Sequence, residues 1–226
     1  IVLTGATGLI GQALTPALTA AGYEVAPLRS RTKGPGGMDV ASGWIDAAYL
    51  EGAEAVIHLA GEPIAQRWTD AAKERILSSR SATTRRLAQA LAQATHRPKV
   101  WLSMSGINRY GIHRPGEKLT EESATLPARQ AGIRTVHLRT GMVLAASGGA
   151  LKAMLPAFKA GLGGRVGSGR QMVSWIRLGD LVRLIAWALE NPQVEGPLNI
   201  VSPQTVSQAD FARELARALG RPAVIP

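Results

Sequence analysis

The residues best placed to do chemistry come first in the chain. Gly5, Gly8 and Gly11 stand three apart in Thr4-Gly5-Ala6-Thr7-Gly8-Leu9-Ile10-Gly11. An apolar run enters this turn, and Leu9, Ile10, Ala13, Leu14, Ala17 and Leu18 recur beyond it at helical spacing. The pattern predicts a strand, a tight turn and a helix. Gly5 permits the turn, Gly8 lets backbone approach a diphosphate, and Gly11 lets the helix pack closely on the strand. The helix N-terminus then offers aligned N–H donors to the anion. The spacing is one residue longer than the common dinucleotide fingerprint, so that template fits with a modification. The plainer reading is an ordinary turn before a helix, and the strand on one side with an amphipathic helix on the other weighs against it. Pro16 lacks an N–H and is expected to kink the helix, at about 3 kcal/mol.

Val25 to Leu28 reads as the second strand, followed by Arg29, Ser30 and Arg31. An acid at the end of this strand would hold a ribose 2′-hydroxyl, whereas arginine accommodates a 2′-phosphate. Two arginines and no acid favour NADP over NAD as cofactor, against the alternative that they are solvated loop charges. Ala55 to Gly61 is a buried strand running into a glycine turn, which puts Leu59, Ala60 and Gly61 at the end where open parallel sheets bind ligands. His58 has no second histidine at i+4 and reads as a packed strand residue, so no metal site is expected.

The elements that must position these groups follow in order. Thr69 caps a predicted helix from Asp70 to Ala94, whose Lys73, Glu74, Arg80, Arg85 and Arg86 read as a solvated face. Lys99 to Ser105 forms a strand that carries Ser105 to the ligand end, and Thr135 to Arg139 forms another. Strands alternating with helices imply a parallel α/β sheet. After Gly148 the glycines crowd between Gly161 and Gly169, beside Arg165 and Arg170. Asp180 to Glu190 reads as a helix, Leu198 to Val201 as a strand, and Ser207 with Asp210 as the capped start of a last helix. The expected organisation is a dinucleotide-binding domain over residues 1–148 and a substrate-covering lobe over 149–226, interleaved with the sheet.

Composition narrows the function classes. The 226 residues carry no cysteine, which excludes disulfides and thiolate metal sites in this sequence. No apolar run reaches the length of a membrane span and no leader pattern appears, so a cytoplasmic protein without membrane partners is expected. The formal charge is +10, but the basic residues are dispersed, and five Trp, three Tyr and two Phe offer few stacking platforms. No nucleic-acid partner is expected; a basic cleft for an anionic cofactor or small-molecule substrate accounts for part of the excess.

The sequence resembles the extended short-chain dehydrogenase/reductase superfamily in its epimerase-like branch. More narrowly it resembles the epimerase-family oxidoreductases, some of which carry a cell-division-inhibitor label. The resemblance rests on Thr4-Gly-Ala-Thr-Gly-Leu-Ile-Gly11, His58-Leu-Ala-Gly-Glu-Pro-Ile64, Arg67-Trp68-Thr69, Ser79-Arg80, Leu138-Arg-Thr-Gly141, Leu162-Gly-Gly164, Gly167-Ser-Gly-Arg170, Trp175-Ile176 and Gly196-Pro-Leu-Asn199. It implies a Rossmann-type doubly wound parallel sheet with a small C-terminal α/β substrate lobe. It also implies cofactor contacts at the glycine turn, at Arg29 to Arg31, at Leu59 and Ala60, and at Glu74, Arg80 and Val143. Glu74 and Arg80 thereby change from surface charges to groups on the cofactor side. Where the family has His and Asp after Trp-Ile, this chain has Arg177 and Gly179 and keeps Asp180.

The superfamily works with a Ser or Thr and a Tyr-x-x-x-Lys pair, in which the ammonium lowers the tyrosine pKa for proton exchange. Ser105 matches the serine, as a candidate catalytic contact to a substrate oxygen or as a structural strand-end serine. Tyr23, Tyr49 and Tyr110 are followed four residues on by Pro27, Ala53 and Arg114, so the pair is absent from this sequence, as it generally is from the narrower family. The stretch between Gly106 and Arg134 holds only Leu126 to Ala131 as a helical tail, short for a parallel crossover. Residues are therefore expected to be missing between Ser123 and Leu126, and also beyond Pro226. Two functions fit: an NADP-dependent oxidoreductase or epimerase passing hydride to a carbonyl or sugar-like substrate, or a non-catalytic NADP-binding regulator.

Overall fold

A computed structural model of the chain describes residues 1–30, 32–39, 42–64, 66–106 and 131–223. In chain order the elements are β1 (Val2–Thr4), α1 (Leu9–Ala20), β2 (Ala26–Ser30), β3 (Gly37–Asp39), β4 (Trp44–Ile45), β5 (Ala55–His58), α2 (Asp70–Gln93), β6 (Val100–Gly106), β7 (Arg134–Thr140) and β8 (Met142–Leu144). They continue with α3 (Gly149–Lys159), β9 (Met172–Val173), β10 (Trp175–Arg177), α4 (Leu178–Glu190), β11 (Gly196–Ile200), β12 (Val206–Ser207) and α5 (Gln208–Ala218). The fold is α/β, and its contacts form two compact units: Ile1–Arg139 with Val182–Asn199, and Thr140–Leu181 with Ile200–Pro226.

The first unit is built on a sheet in the order β11-β7-β6-β5-β1-β2-β3-β4. β1 pairs in parallel with both β2 and β5, β2 with β3, and β5 with β6, while β4 returns antiparallel to β3. The chain winds outward from β1 through β2 and β3, then resumes on the other side of β1 at β5. The place where the winding direction reverses therefore lies between β1 and β5, the position at which such sheets bind ligands beyond their carboxyl ends.

Register explains the burial. Val2, Val56 and Trp101 stand in one row across β1, β5 and β6, and Leu3, Ile57 and Leu102 in the next. The first row packs on Leu87, Ala88 and Leu91 of α2. Side chains alternate across a strand, so the second row faces the opposite side, where it is equally buried. The third row returns to the α2 face and is polar: Thr4, His58 and Ser103, all buried. The Thr4 hydroxyl accepts the N–H groups of Leu59 (3.2 Å) and Ala60 (3.1 Å), which fills both its lone pairs. Its own hydrogen then goes to His58 Nδ1 at 2.7 Å, which assigns the ring as the neutral tautomer protonated on Nε2.

Elsewhere in this unit Arg134 holds the end of α4. Its Nη1 donates to the carbonyls of Ala188, Asn191 and Val194 at 3.0, 3.1 and 2.8 Å, and Nη2 to Leu189 at 2.7 Å. Two carbonyls of the last helical turn and two of the segment after it are thus met by one cation. In the second unit β8 pairs in parallel with β10, β9 pairs antiparallel with β12, and Phe158 of α3 packs with Ala212 and Ala216 of α5.

Several expected boundaries shift. β2 runs on to include Arg29 and Ser30, because these two pair with Gly37 and Met38 of β3. α1 keeps the expected extent, with Pro16 inside it and its last residue at Ala20 before the Ala21-Gly22 turn. Thr69 caps α2 by accepting the Ala72 N–H, and Ser207 caps α5 by accepting the Asp210 N–H, as expected. α3 has no counterpart in the sequence reading, although Leu151, Met154, Leu155 and Phe158 hold helical spacing; Pro156 within it masks the signal. Arg31, the residues between Ser123 and Leu126 and the helical tail before Ala131 lie outside the described residues.

Burial pushes the His58 pKa down from 6.5 to about 4, so the folded state keeps a neutral ring. A depressed histidine pKa gives stability that is whole above the unfolded value and is lost as pH falls toward the folded one. Urea unfolding at pH 7.5 and pH 5 should show a loss from this residue of about 2 kcal/mol, out of roughly 3 kcal/mol by pH 4. His58→Asn, whose Oδ1 can take the Thr4 hydroxyl, should remove that part of the pH dependence; an unchanged slope would contradict the assignment. Arg134→Met should cost about 2–3 kcal/mol by the same measurement, because four carbonyls lose a charged donor.

Candidate functional site

The turn after β1 is shaped by what lies against it. Gly5 has φ +75°, and a Cβ there would stand 2.9 Å from both the Ala60 nitrogen and the Leu59 carbonyl carbon. The Gly8 N–H closes the turn onto the Gly5 carbonyl at 3.0 Å. A Cβ on Gly11 would come within 2.3 Å of that same carbonyl oxygen, so the first turn of α1 sits directly on the loop. Both positions need glycine for close approach.

Gly8 is different. It has φ −77° and ψ 169°, which any residue adopts, and a Cβ would meet only the Gly5 oxygen, at 3.3 Å. A side chain there requires the Gly5 carbonyl to yield by a few tenths of an ångström, a far smaller conflict than at Gly5 or Gly11, and its absence keeps the helix end open. Gly8 is the N-cap of α1 without a side-chain cap, and the first turn holds no acid. The starts of α2 and α5 are both capped by hydroxyls. Thr7, Gly8 and, in part, Leu9 and Ile10 are open to solvent around this end. Bare amides at the positive end of a helix, approachable because one Cβ is missing, fit a phosphate group.

The described corner at the end of β2 is cationic. Arg29 is exposed, and its Nη2 donates to the Pro35 carbonyl at 2.9 Å, which fixes the guanidinium against the loop before β3. That loop is itself held by Asp46, whose Oδ2 accepts the Gly36 N–H at 2.8 Å. Ser30 is exposed beside it.

Beyond β5, Leu59 and Ala60 press on the turn, and Gly61 lies against Arg80. A Cβ on Gly61 would be 3.3 Å from the Arg80 Cζ, which brings a residue from the middle of α2 to the loop. Burial lowers the Arg80 pKa from its ordinary value and the nearby Glu62 carboxylate opposes the shift. The guanidinium stays charged. Glu74 is exposed on the same helix, and among the described residues no hydrogen bond or ion pair draws its carboxylate to the turn. Ser105 is half-buried on β6, two residues past Ser103, the partner of His58. It therefore projects about 7 Å beyond the end of β5 and shares the face of Ser103. Val143 lies in β8 of the second unit, paired with Ile176.

The structure thus brings together the glycine turn, Leu59, Ala60, Gly61 and Arg80. Thr4, Glu62 and Ser79 help to hold that group, and sequence reasoning missed them as participants. No spacing rule marks a hydroxyl whose partners lie more than fifty residues away. Among the described residues no helix is long and apolar enough to cross a membrane, and no group of three His, Cys, Asp or Glu side chains could hold a metal ion.

Comparison with known proteins places the chain among relatives of the same fold. The profile of the NAD dependent epimerase/dehydratase family matches residues 1–131. The mouse epimerase family protein SDR39U1 is 38% identical over 247 residues, covering 100% of this chain and 83% of its own length. That alignment is longer than the 226 residues here, so the relative carries residues that this chain lacks. The crystal structure of the human SDR39U1 protein with NADPH superposes with a TM-score of 0.82 at 36% identity, covering 100% of this chain and 81% of that one. A nucleoside-diphosphate sugar epimerase from Corynebacterium glutamicum gives a TM-score of 0.77 at 34% identity, covering 100% of this chain and 52% of that one. With a matching profile over more than half its length and relatives above one-third identity across nearly all of it, the chain belongs to the NAD dependent epimerase/dehydratase family.

Proposed function

We propose that the protein binds NADP at the turn between β1 and α1 and acts as an epimerase-like oxidoreductase on a small polar carbonyl or sugar-like substrate. The observation that carries this reading is the uncapped, side-chain-free start of α1, placed where the winding of the sheet reverses. The bound dinucleotide supplies a hydride donor or acceptor at its nicotinamide. Everything else falls to this chain. The first open amides of α1, at Leu9 and Ile10, hold the diphosphate, with Gly5, Ala6, Thr7, Gly8 and Gly11 shaping the approach. Arg29, Ser30 and Arg31 receive the 2′-phosphate, and the NADPH in the human relative supports NADP over NAD. Leu59, Ala60 and Gly61 wall the site, and Arg80 meets an anionic part of the cofactor. Glu74 joins them on the family resemblance, and Val143 is assigned a cofactor role by that resemblance alone. Ser105 bonds the substrate oxygen that gains or loses a proton.

A second reading is a non-catalytic NADP-binding regulator. It is favoured by one observation, that no tyrosine in the sequence is followed four residues on by lysine. Turnover separates the two. NADPH oxidation across a panel of carbonyl and nucleotide-sugar substrates supports the enzyme, whereas saturable NADPH binding with no consumption supports the regulator.

Two substitutions test the cofactor site itself. Gly8→Val should cost about 1 kcal/mol of stability, because valine is a poor N-cap, and should leave the protein folded while weakening NADPH binding by about tenfold or more, a loss of roughly 1.4 kcal/mol. Arg29→Ala should weaken NADPH by about tenfold while leaving NADH nearly unaffected, since only NADPH carries the 2′-phosphate. Calorimetric titration of both variants with both nucleotides reads these outcomes, and equal losses for the two nucleotides would remove Arg29 from the 2′-phosphate role.

A further inference from the structure

The loop after β5 is hung on α2 at a single carbonyl. Ser79 Oγ accepts the Glu62 N–H at 2.9 Å and donates to the Ile76 oxygen at 3.1 Å. Arg80 Nη1 donates to that same oxygen, also at 3.1 Å. The Arg80 side chain therefore folds back one turn along the helix, toward its N-terminus, and lies along Gly61. Its other guanidinium N–H groups have no acceptor among the described residues. Glu62, with its side chain 15% exposed, faces Arg75 at 3.7 Å and takes a long hydrogen bond from Gln66 at 3.5 Å. Arg75 and Gln66 thus lie beside the carboxylate, and its charge also favours the Arg80 cation.

A serine bonding back to the carbonyl three residues earlier is common in helices and by itself means little. Ser79 differs because the same oxygen also accepts from the loop. The hydroxyl spans the gap between Glu62 and Ile76, and two adjacent residues of α2 converge on one acceptor. Loop and guanidinium are thereby registered against each other, with Gly61 between them.

We propose that Ser79 is a positioning residue for cofactor binding: by tying Glu62 to the carbonyl that anchors Arg80, it sets the Arg80 guanidinium on Gly61 with its open donors toward the anionic dinucleotide. The proposal rests on the cofactor reading above. It predicts that losing the Ser79 hydroxyl harms binding through Arg80 and in no other way. Stability should respond little, because alanine is the better helix former and its gain offsets part of the lost hydrogen bond.

The test is a double-mutant cycle on the full chain, read by NADPH fluorescence titration with thermal unfolding alongside. Arg80→Met should weaken NADPH binding by about tenfold and Ser79→Ala by about fivefold, as expected for losing a charged contact and for misplacing it. Ser79→Thr keeps the hydroxyl and should bind within about twofold of the unsubstituted protein. In the Arg80→Met background, Ser79→Ala should add less than about twofold. Ser79→Ala binding as tightly as the unsubstituted protein, or weakening it equally in both backgrounds, overturns the positioning role alone. Failure of Ser79→Thr to restore binding does the same. No saturable binding by the unsubstituted protein overturns the cofactor reading, and the positioning role with it.

Discussion

The Thr4 hydroxyl takes the N–H groups of Leu59 and Ala60 and gives its own hydrogen to His58, and the ligand end of the sheet is shaped around that knot. A buried hydroxyl left unpaired would cost free energy, so all three partners are needed to keep it there. The result draws the backbone after β5 across the end of β1. Space for a Cβ on the next residue disappears, which is why Gly5 must be glycine. The turn is pushed toward α1, where Gly11 is the only residue type that fits over the Gly5 carbonyl. Two glycines, one threonine and one neutral histidine thus form one packing problem with one solution, and its by-product is an open helix end facing solvent.

Burial and ligand approach place opposite demands on the same few residues. Gly5 and Gly11 serve packing, and Gly8 serves access; the distinction lies in what a Cβ would strike. Arg29 and Arg80 show the same division of labour among charges. Each spends one donor on a backbone carbonyl, Pro35 for Arg29 and Ile76 for Arg80, and so is held in place on the protein. A guanidinium pre-positioned in this way loses less freedom when it meets an anion than a free surface arginine would.

Much of this was legible in the sequence. The glycine spacing, flanked by an apolar strand and an amphipathic helix, identified the turn because each neighbour of the motif carries its own periodic signal. The caps at Thr69 and Ser207 were readable because capping is local chemistry. The end of β2 was placed too early, since Arg29 and Ser30 look like a loop until β3 offers them partners. Arg80 looked like an ordinary surface charge on a long helix; only the family resemblance moved it to the cofactor side, and only its contact with Gly61 gives that move a physical basis. Thr4, Ser79 and Glu62 were beyond reach, because their roles are set by partners distant in sequence. α3 was hidden by Pro156, which reads as a helix breaker and yet sits within a helix whose apolar face has other residues to pack.

The central claim is that backbone amides at the start of α1, beside the chain crossing from β5, hold the diphosphate of a pyridine nucleotide. An amide-resolved NMR titration of the full chain with NADPH tests it most directly, because it reports on each N–H by itself. The account predicts saturable shifts that are largest at Leu9 and Ile10, whose N–H groups are open, with smaller ones at Gly8 and at Leu59 to Gly61. Saturation accompanied by undisturbed amides at Leu9 and Ile10 and large shifts elsewhere would contradict it.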